Sequence, residues 1–231
     1  RKSAKKIEER WNRSHNIINK LKNYSQIPYS IIPGNHDYDC PAKNLKTNNF
    51  INYFGPKNYI QKDWFISNDQ TKRNMAQRFS VDGKDYIHIG LEFRPSDLAI
   101  KYAQEIIISN PKTPVIISTH YYLKASKNKN YAVIGNDGDT RNSTGKNSPK
   151  QVFEKLVNPF PQVFLILSGH KAPEAVLVNK NFFGGSVLNI LSNYQSDPKG
   201  GNGWLKLISF MPNISKVKIE TLSLTYKIKE K

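Results

Sequence analysis

The sequence predicts a single α/β domain over residues 1–231. Three observations support it: short apolar runs that end in polar residues, helix-period patterns between those runs, and Gly- or Pro-containing turns at their boundaries. With 231 residues, 38% hydrophobic and 11% aromatic, the chain can build one substantial core and is too apolar for a disordered one. The longest apolar runs resemble Val163–Leu167 in length, far short of a bilayer-spanning helix.

The elements follow in order. Ile7, Trp11, Ile17, Ile18 and Leu21 recur at helical spacing, which predicts a helix over residues 1–24. Tyr29–Ile32 is an apolar run broken by Pro33-Gly34, expected to be a buried strand ending in a loop that carries Asn35, His36 and Asp37. Phe50, Tyr53 and Phe54 before Gly55-Pro56 suggest a short helix and turn within 44–59. Arg78–Val81 and Tyr86–Gly90 flank Asp82-Gly83, a hairpin signal. A helix over 97–109 closes at Asn110-Pro111 before the strand Val115–Thr119, which runs into His120. The unit then repeats: Ser148-Pro149 opens a helix through Val157, and the strand Val163–Leu167 ends in Ser168-Gly169-His170. From Val187 onward the chain reads as strand, with Gly200–Gly203 turning before Trp204–Ile208.

In an open α/β sheet, ligands gather beyond the carboxyl ends of the strands. Asn35 with His36, His120 and His170 are all expected at that end. Two or three neutral imidazoles and an amide oxygen suit a borderline first-row cation such as Zn, Mn or Fe. The one cysteine, Cys40, cannot build a thiolate cluster or an internal disulfide, and is expected to be a small buried thiol.

Taken together, Pro33-Gly34-Asn35-His36-Asp37, Ser118-Thr119-His120 and Leu167-Ser168-Gly169-His170 resemble, in order and spacing, the last three motifs of the calcineurin-like metallophosphoesterases. Asn193-Tyr194-Gln195 and Gly200–Trp204 are similar to one bacterial branch of that family. The resemblance implies a four-layer sandwich of two mixed β-sheets flanked by helices, and metal-dependent hydrolysis of phosphoesters. It implies Asn35, His120 and His170 as ligands of one cation of a two-cation centre (Mn, Zn or Fe), His36 as general acid, and Asp37 as the group that orients His36 and raises its basicity.

Two departures limit it. The family's first motifs, an Asp-x-His and a Gly-Asp, are not in this sequence, so the first strand and its motif are expected to be missing from an N-terminally truncated chain that alone binds metal weakly. The family also often carries a second histidine where Ala172 stands. The resemblance implies a phosphoester substrate without separating monoester from diester, and leans towards an extracytoplasmic location.

The net charge of +17 raises a rival, a nucleic-acid-binding protein, but no aromatic-and-basic recognition motif accompanies it. The excess is spread along the chain, with one concentration at Lys124–Lys129 that would favour polyanionic substrates if it rims the site. A second rival is a non-catalytic remnant of the fold. His15 is expected to be solvated on a polar helix, His88 to face either side of its strand, and Asn136–Asp139 to be a turn and not a calcium loop.

Overall fold

Side-chain alternation along two central strands decides the architecture. The computed structural model describes residues 4–24, 27–38, 48–125, 132–136, 146–172, 174–211, 216–225 and 229–230. In β3 (Lys84–Leu91), Ile87, Ile89 and Leu91 are fully buried on one face, while His88 and Gly90 point to the other. In β4 (Val115–Thr119), Val115 and Ile117 join the first face and Ile116 and Ser118 the second. Both faces of the sheet therefore have to be covered.

The sheet has seven strands. In spatial order they are β1 (Phe65–Asn68), β2 (Met75–Val81), β3, β4, β7 (Val163–Ser168), β9 (Ser186–Leu191) and β8 (Ala175–Lys180). The central four, β3, β4, β7 and β9, run parallel, and antiparallel strands close both edges. An irregularity in the β4–β7 register sets Ile116 opposite Leu165, leaving Phe164 as an extra residue. The β2–β3 hairpin turns at Asp82 and Gly83, both with positive φ (50° and 72°), as a two-residue turn requires.

The first face is covered by α3 (Asp97–Ile108), through Ile100, Ala103 and Ile107, and by α4 (Pro149–Val152) with the single wide turn Phe153–Val157 that continues it. Ser96 caps α3 at the Ala99 amide, and Ser148 with Gln151 forms a capping box on α4. The hairpin β5 (Leu123–Ala125) and β6 (Ala132–Ile134) extends this core. On the second face, β10 (Trp204–Met211) and β11 (Lys216–Ser223) bring Ile208 and Ile219 onto Ile116, Leu165 and Ile190. With β12 (Lys229–Glu230) they form a three-stranded antiparallel sheet.

The expected α/β class stands, as a large mixed sheet flanked by helices. Where a second mixed sheet is expected, the second sheet is antiparallel among the described residues. The N-terminal helix is α1 (Ala4–Ile18), tightening to a 3-10 helix over Asn19–Tyr24. It packs Trp11 and His15 on Tyr53 and Phe54 of α2 (Asn48–Phe54), so His15 is half-buried against aromatic rings and bonded to Asn19, not solvated. Strand β8 has no counterpart in the sequence reading.

The expected strand at Tyr29–Ile32 does not form. This segment is irregular and, among the described residues, pairs with no strand. It lies over β2 and β3: Gln77 donates to the Tyr29 carbonyl at 2.6 Å, and a Cβ at Gly90 would sit 2.9 Å from both Ile32 and Ser30. Beside it, on the same face, a cavity of about 600 Å³ is floored by Phe79, His88, Ile116 and Leu167 and reaches His120 and Gly169.

At the carboxyl end of β3 the Glu92 side chain is fully buried and meets Arg73 at 3.1 Å. It accepts hydrogen bonds from the Tyr38 hydroxyl (3.1 Å) and the Ser96 amide (3.3 Å). Removing one partner of a buried pair strands the other charge. Arg73→Ala is therefore expected to cost about 3–5 kcal/mol in urea unfolding, whereas Lys101→Ala, removing an exposed pair with Glu105, is expected to shift it by less than about 1 kcal/mol.

Candidate metal centre

Parallel pairing puts the ends of β4 and β7 side by side. His120 is the first residue beyond β4, Gly169 and His170 the first beyond β7, and the Gly169 amide donates to the His120 carbonyl at 3.1 Å. His170 holds φ at 68°, a left-handed conformation uncommon for a residue with a Cβ. The third contributor is the turn Gly34–Asp37. There the Asp37 amide donates to the Gly34 carbonyl (3.1 Å), and the Gly34 amide donates to the Asp37 carboxylate (2.7 Å).

Three donor atoms meet between these elements. His120 Nε2 lies 3.0 Å from Asn35 Oδ1 and 3.2 Å from His170 Nδ1. Ligands about 2.1 Å from a common cation stand about 3.0–3.4 Å apart at octahedral or tetrahedral angles. One proton cannot serve both contacts well: Nε2 faces an amide oxygen on one side and a ring nitrogen on the other. Nε2 has one in-plane site, a proton or a lone pair, so it serves one of the two contacts well and the other poorly, whereas a cation can be met by all three donors. The donor set fits a first-row divalent ion.

Electrostatics keep these rings neutral and able to ligate. Burial, with the charge of His36, lowers the His120 pKa. Burial and the neighbouring His120, Lys171, Arg94 and His36 push His170 down to about 4. Burial raises Asp37, against the opposing pull of the Gly34 amide and of His36. Because its hydrogen bond goes to Gly34, the Asp37 carboxylate acts on His36 through charge and through the shape of the turn. His36 itself is exposed, with its ring free to meet a substrate.

All five residues singled out in the sequence, Asn35, His36, Asp37, His120 and His170, therefore lie at one edge of the sheet. Among the described residues no group of three or more His, Cys, Asp and Glu side chains converges, so this cluster consists of two imidazoles and an amide. Cys40, Asp137–Asp139 and residues 126–129 of the basic run lie outside the described residues.

Sequence reasoning missed the aromatic and cationic surroundings. Phe93 packs on both histidines, with ring centroids 5.7 Å from His120 and 5.4 Å from His170, and Tyr121 lies 5.2 Å from His170. The signal was the end of β3: as a parallel neighbour of β4, it delivers the residues after Leu91 to the same edge. His88, left open between faces, points into the cavity and bonds to Ser118 Oγ at 2.8 Å.

No protein-family model matches the chain. It is similar to the uncharacterized protein YvnB of Bacillus subtilis (strain 168), at 27% identity over 217 residues. That match takes in 91% of this chain and 15% of the relative, so the chain spans a small part of that protein's length.

Two measurements probe this geometry. A Cβ on Gly34 would come within 2.9 Å of His120 Cε1. Gly34→Ala is thus expected to push the imidazole aside and cost roughly 1–3 kcal/mol in urea unfolding. The second concerns pH. Burial holds His88 at about 4 against its ordinary 6.5. The ring is thus neutral in the fold, and its stabilising effect is complete above pH 6.5. As pH falls from 6.5 towards 4 the unfolded chain takes up the proton first, and stability is lost. Denaturation at pH 7.5 and pH 5 is expected to differ by about 1–2 kcal/mol more in the wild type than in His88→Gln.

Proposed function

We propose that this chain carries the histidine half of a metal-dependent phosphoester hydrolase of the calcineurin-like class. The observation that carries the proposal is that His120 Nε2 stands 3.0 Å from Asn35 Oδ1 and 3.2 Å from His170 Nδ1, the three coming from segments far apart in sequence. Motif order supports it, as does a large mixed sheet with helices on one face and a small sheet on the other. The finer reading, a four-layer sandwich, belongs to this proposal.

Asn35, His120 and His170 would hold one divalent cation, Mn, Zn or Fe. Ligands for a second cation are not among the described residues, and Ala172 offers none. Such ions supply Lewis acidity that polarises phosphoryl oxygens and lowers the pKa of water. The chain's own residues do the rest. His36, exposed at the mouth of the turn, donates a proton to the departing alkoxide. Asp37 fixes the turn that carries His36 and biases its ring by charge. Phe93 and Tyr121 wall the two histidines and exclude water from one side. The substrate is a phosphoester. No helix among the described residues is long and apolar enough to cross a membrane, in keeping with a reading that calls for no membrane span.

The test is hydrolysis of a chromogenic monoester and diester by the full-length protein with manganese, alongside metal analysis by mass spectrometry. His170→Ala is expected to lose bound metal and activity together. His36→Ala is expected to keep the metal and lose about 10²–10⁴ in rate. Full activity in both variants would overturn the assignment.

A further inference from the structure

Arg94 lies beside the histidines in a conformation that costs free energy. Its φ is 50°, left-handed for a residue with a long side chain, and such backbone strain clusters at functional sites. The strained backbone sets the guanidinium over two rings, 5.5 Å from the Phe93 centroid and 5.9 Å from that of Tyr121. These rings also touch the candidate ligands, Phe93 both histidines and Tyr121 His170. The guanidinium is thus one ring away from the donor cluster.

No described carboxylate meets its charge. Among the described residues Arg94 forms no ion pair, and its Nε is enclosed with no hydrogen-bond partner. The contrast with Arg73, in its buried pair with Glu92 two residues upstream of Arg94, is direct. Lys171, next to His170, brings a second cation to the same ring, with its Nζ 5.3 Å from the Tyr121 centroid. An aromatic platform that carries two cations beside a cluster of neutral donors is arranged for an anion.

We infer that Arg94, with Lys171, binds the free oxygens of a terminal phosphate, and so makes phosphomonoesters the preferred substrates of this site. The inference rests on the hydrolase reading for its substrate and deepens it. The chemistry of the phosphoryl group separates the two substrate classes. A diester monoanion spreads one negative charge over two non-ester oxygens, so it offers less charge and one oxygen fewer to cationic side chains beside the cluster. A monoester dianion has a third oxygen, and a guanidinium fork suits it. Arg94 therefore contributes to monoester binding and little to diester binding.

The experiment compares Arg94→Met, which keeps the stem on Phe93 and Tyr121 but removes the charge, with Arg94→Lys and the wild type, each loaded with manganese. The readouts are kcat/KM for p-nitrophenyl phosphate and bis-p-nitrophenyl phosphate, metal content, and calorimetric binding of inorganic phosphate. Losing charge-assisted hydrogen bonds is expected to weaken phosphate binding and lower monoester kcat/KM by about 10- to 100-fold. Diester kcat/KM is expected to stay within about threefold, metal content to stay unchanged, and Arg94→Lys to recover part of the loss. An equal loss on both substrates, or unaltered phosphate binding in Arg94→Met, overturns the inference. If the full-length wild type hydrolyses neither ester, the hydrolase reading fails, and phosphate binding alone decides: loss on Arg94→Met sustains the anion site, and no binding to wild type removes it.

Discussion

A carboxylate without water around it must be neutralised and hydrogen-bonded by protein, or its burial is prohibitively unfavourable. Glu92 imposes that constraint where it matters most. Its charge is met by Arg73 from the β1–β2 connection, and its oxygens by Tyr38, just past the Asn35–Asp37 turn, and by the cap of α3. Its backbone is held as well: the amide donates to Asn74, and the carbonyl accepts from Thr119 immediately before His120. One buried residue thus ties together four segments, three through its carboxylate and β4 through its backbone carbonyl. Burial and the Glu92 charge drive the Tyr38 phenol far above its ordinary range, so it remains a proton donor to that carboxylate.

What sequence alone could show follows from how local each cause is. His120 and His170 were legible because an apolar run followed by a polar residue marks a strand end, and parallel neighbours place their ends together. Asn35 was legible through its turn. Tyr29–Ile32 has the composition of a strand, yet a strand is a relation between two segments, and no described segment pairs with this one. Strand β8 was hidden for a different reason: it is an edge strand that turns Val176 and Val178 to solvent, against the usual alternation of apolar-in and polar-out. Arg94 left no mark at all. A single arginine among 35 basic residues carries no pattern, and its importance lies in a backbone angle and in rings that are distant in sequence.

The same distinction bears on the excess positive charge. Spread over the surface, lysines are screened and shape little beyond solubility and long-range attraction. Lys124, the first residue of the basic run, is exposed on β5. The cations that reach the histidines come instead from residues bordering the site, Arg94 after β3 and Lys171 after β7, where aromatic rings limit solvent and lengthen the range of each charge.

The unpaired stretch before Gly34 gives the site two separate mechanical roots. His120 and His170 are anchored in the central sheet, whereas Asn35 is carried by a segment held through side-chain contacts and the bond from Gln77. A cation gripping all three would act as a covalent staple does. It would close one chain loop of 85 residues, from Asn35 to His120, and a second of 50, from His120 to His170. Because the entropy of closing a loop grows only slowly with its length, the longer closure is scarcely harder to make than the shorter one. The ion would thereby add a second kind of tether to a segment that has side-chain contacts but, among the described residues, no strand partner.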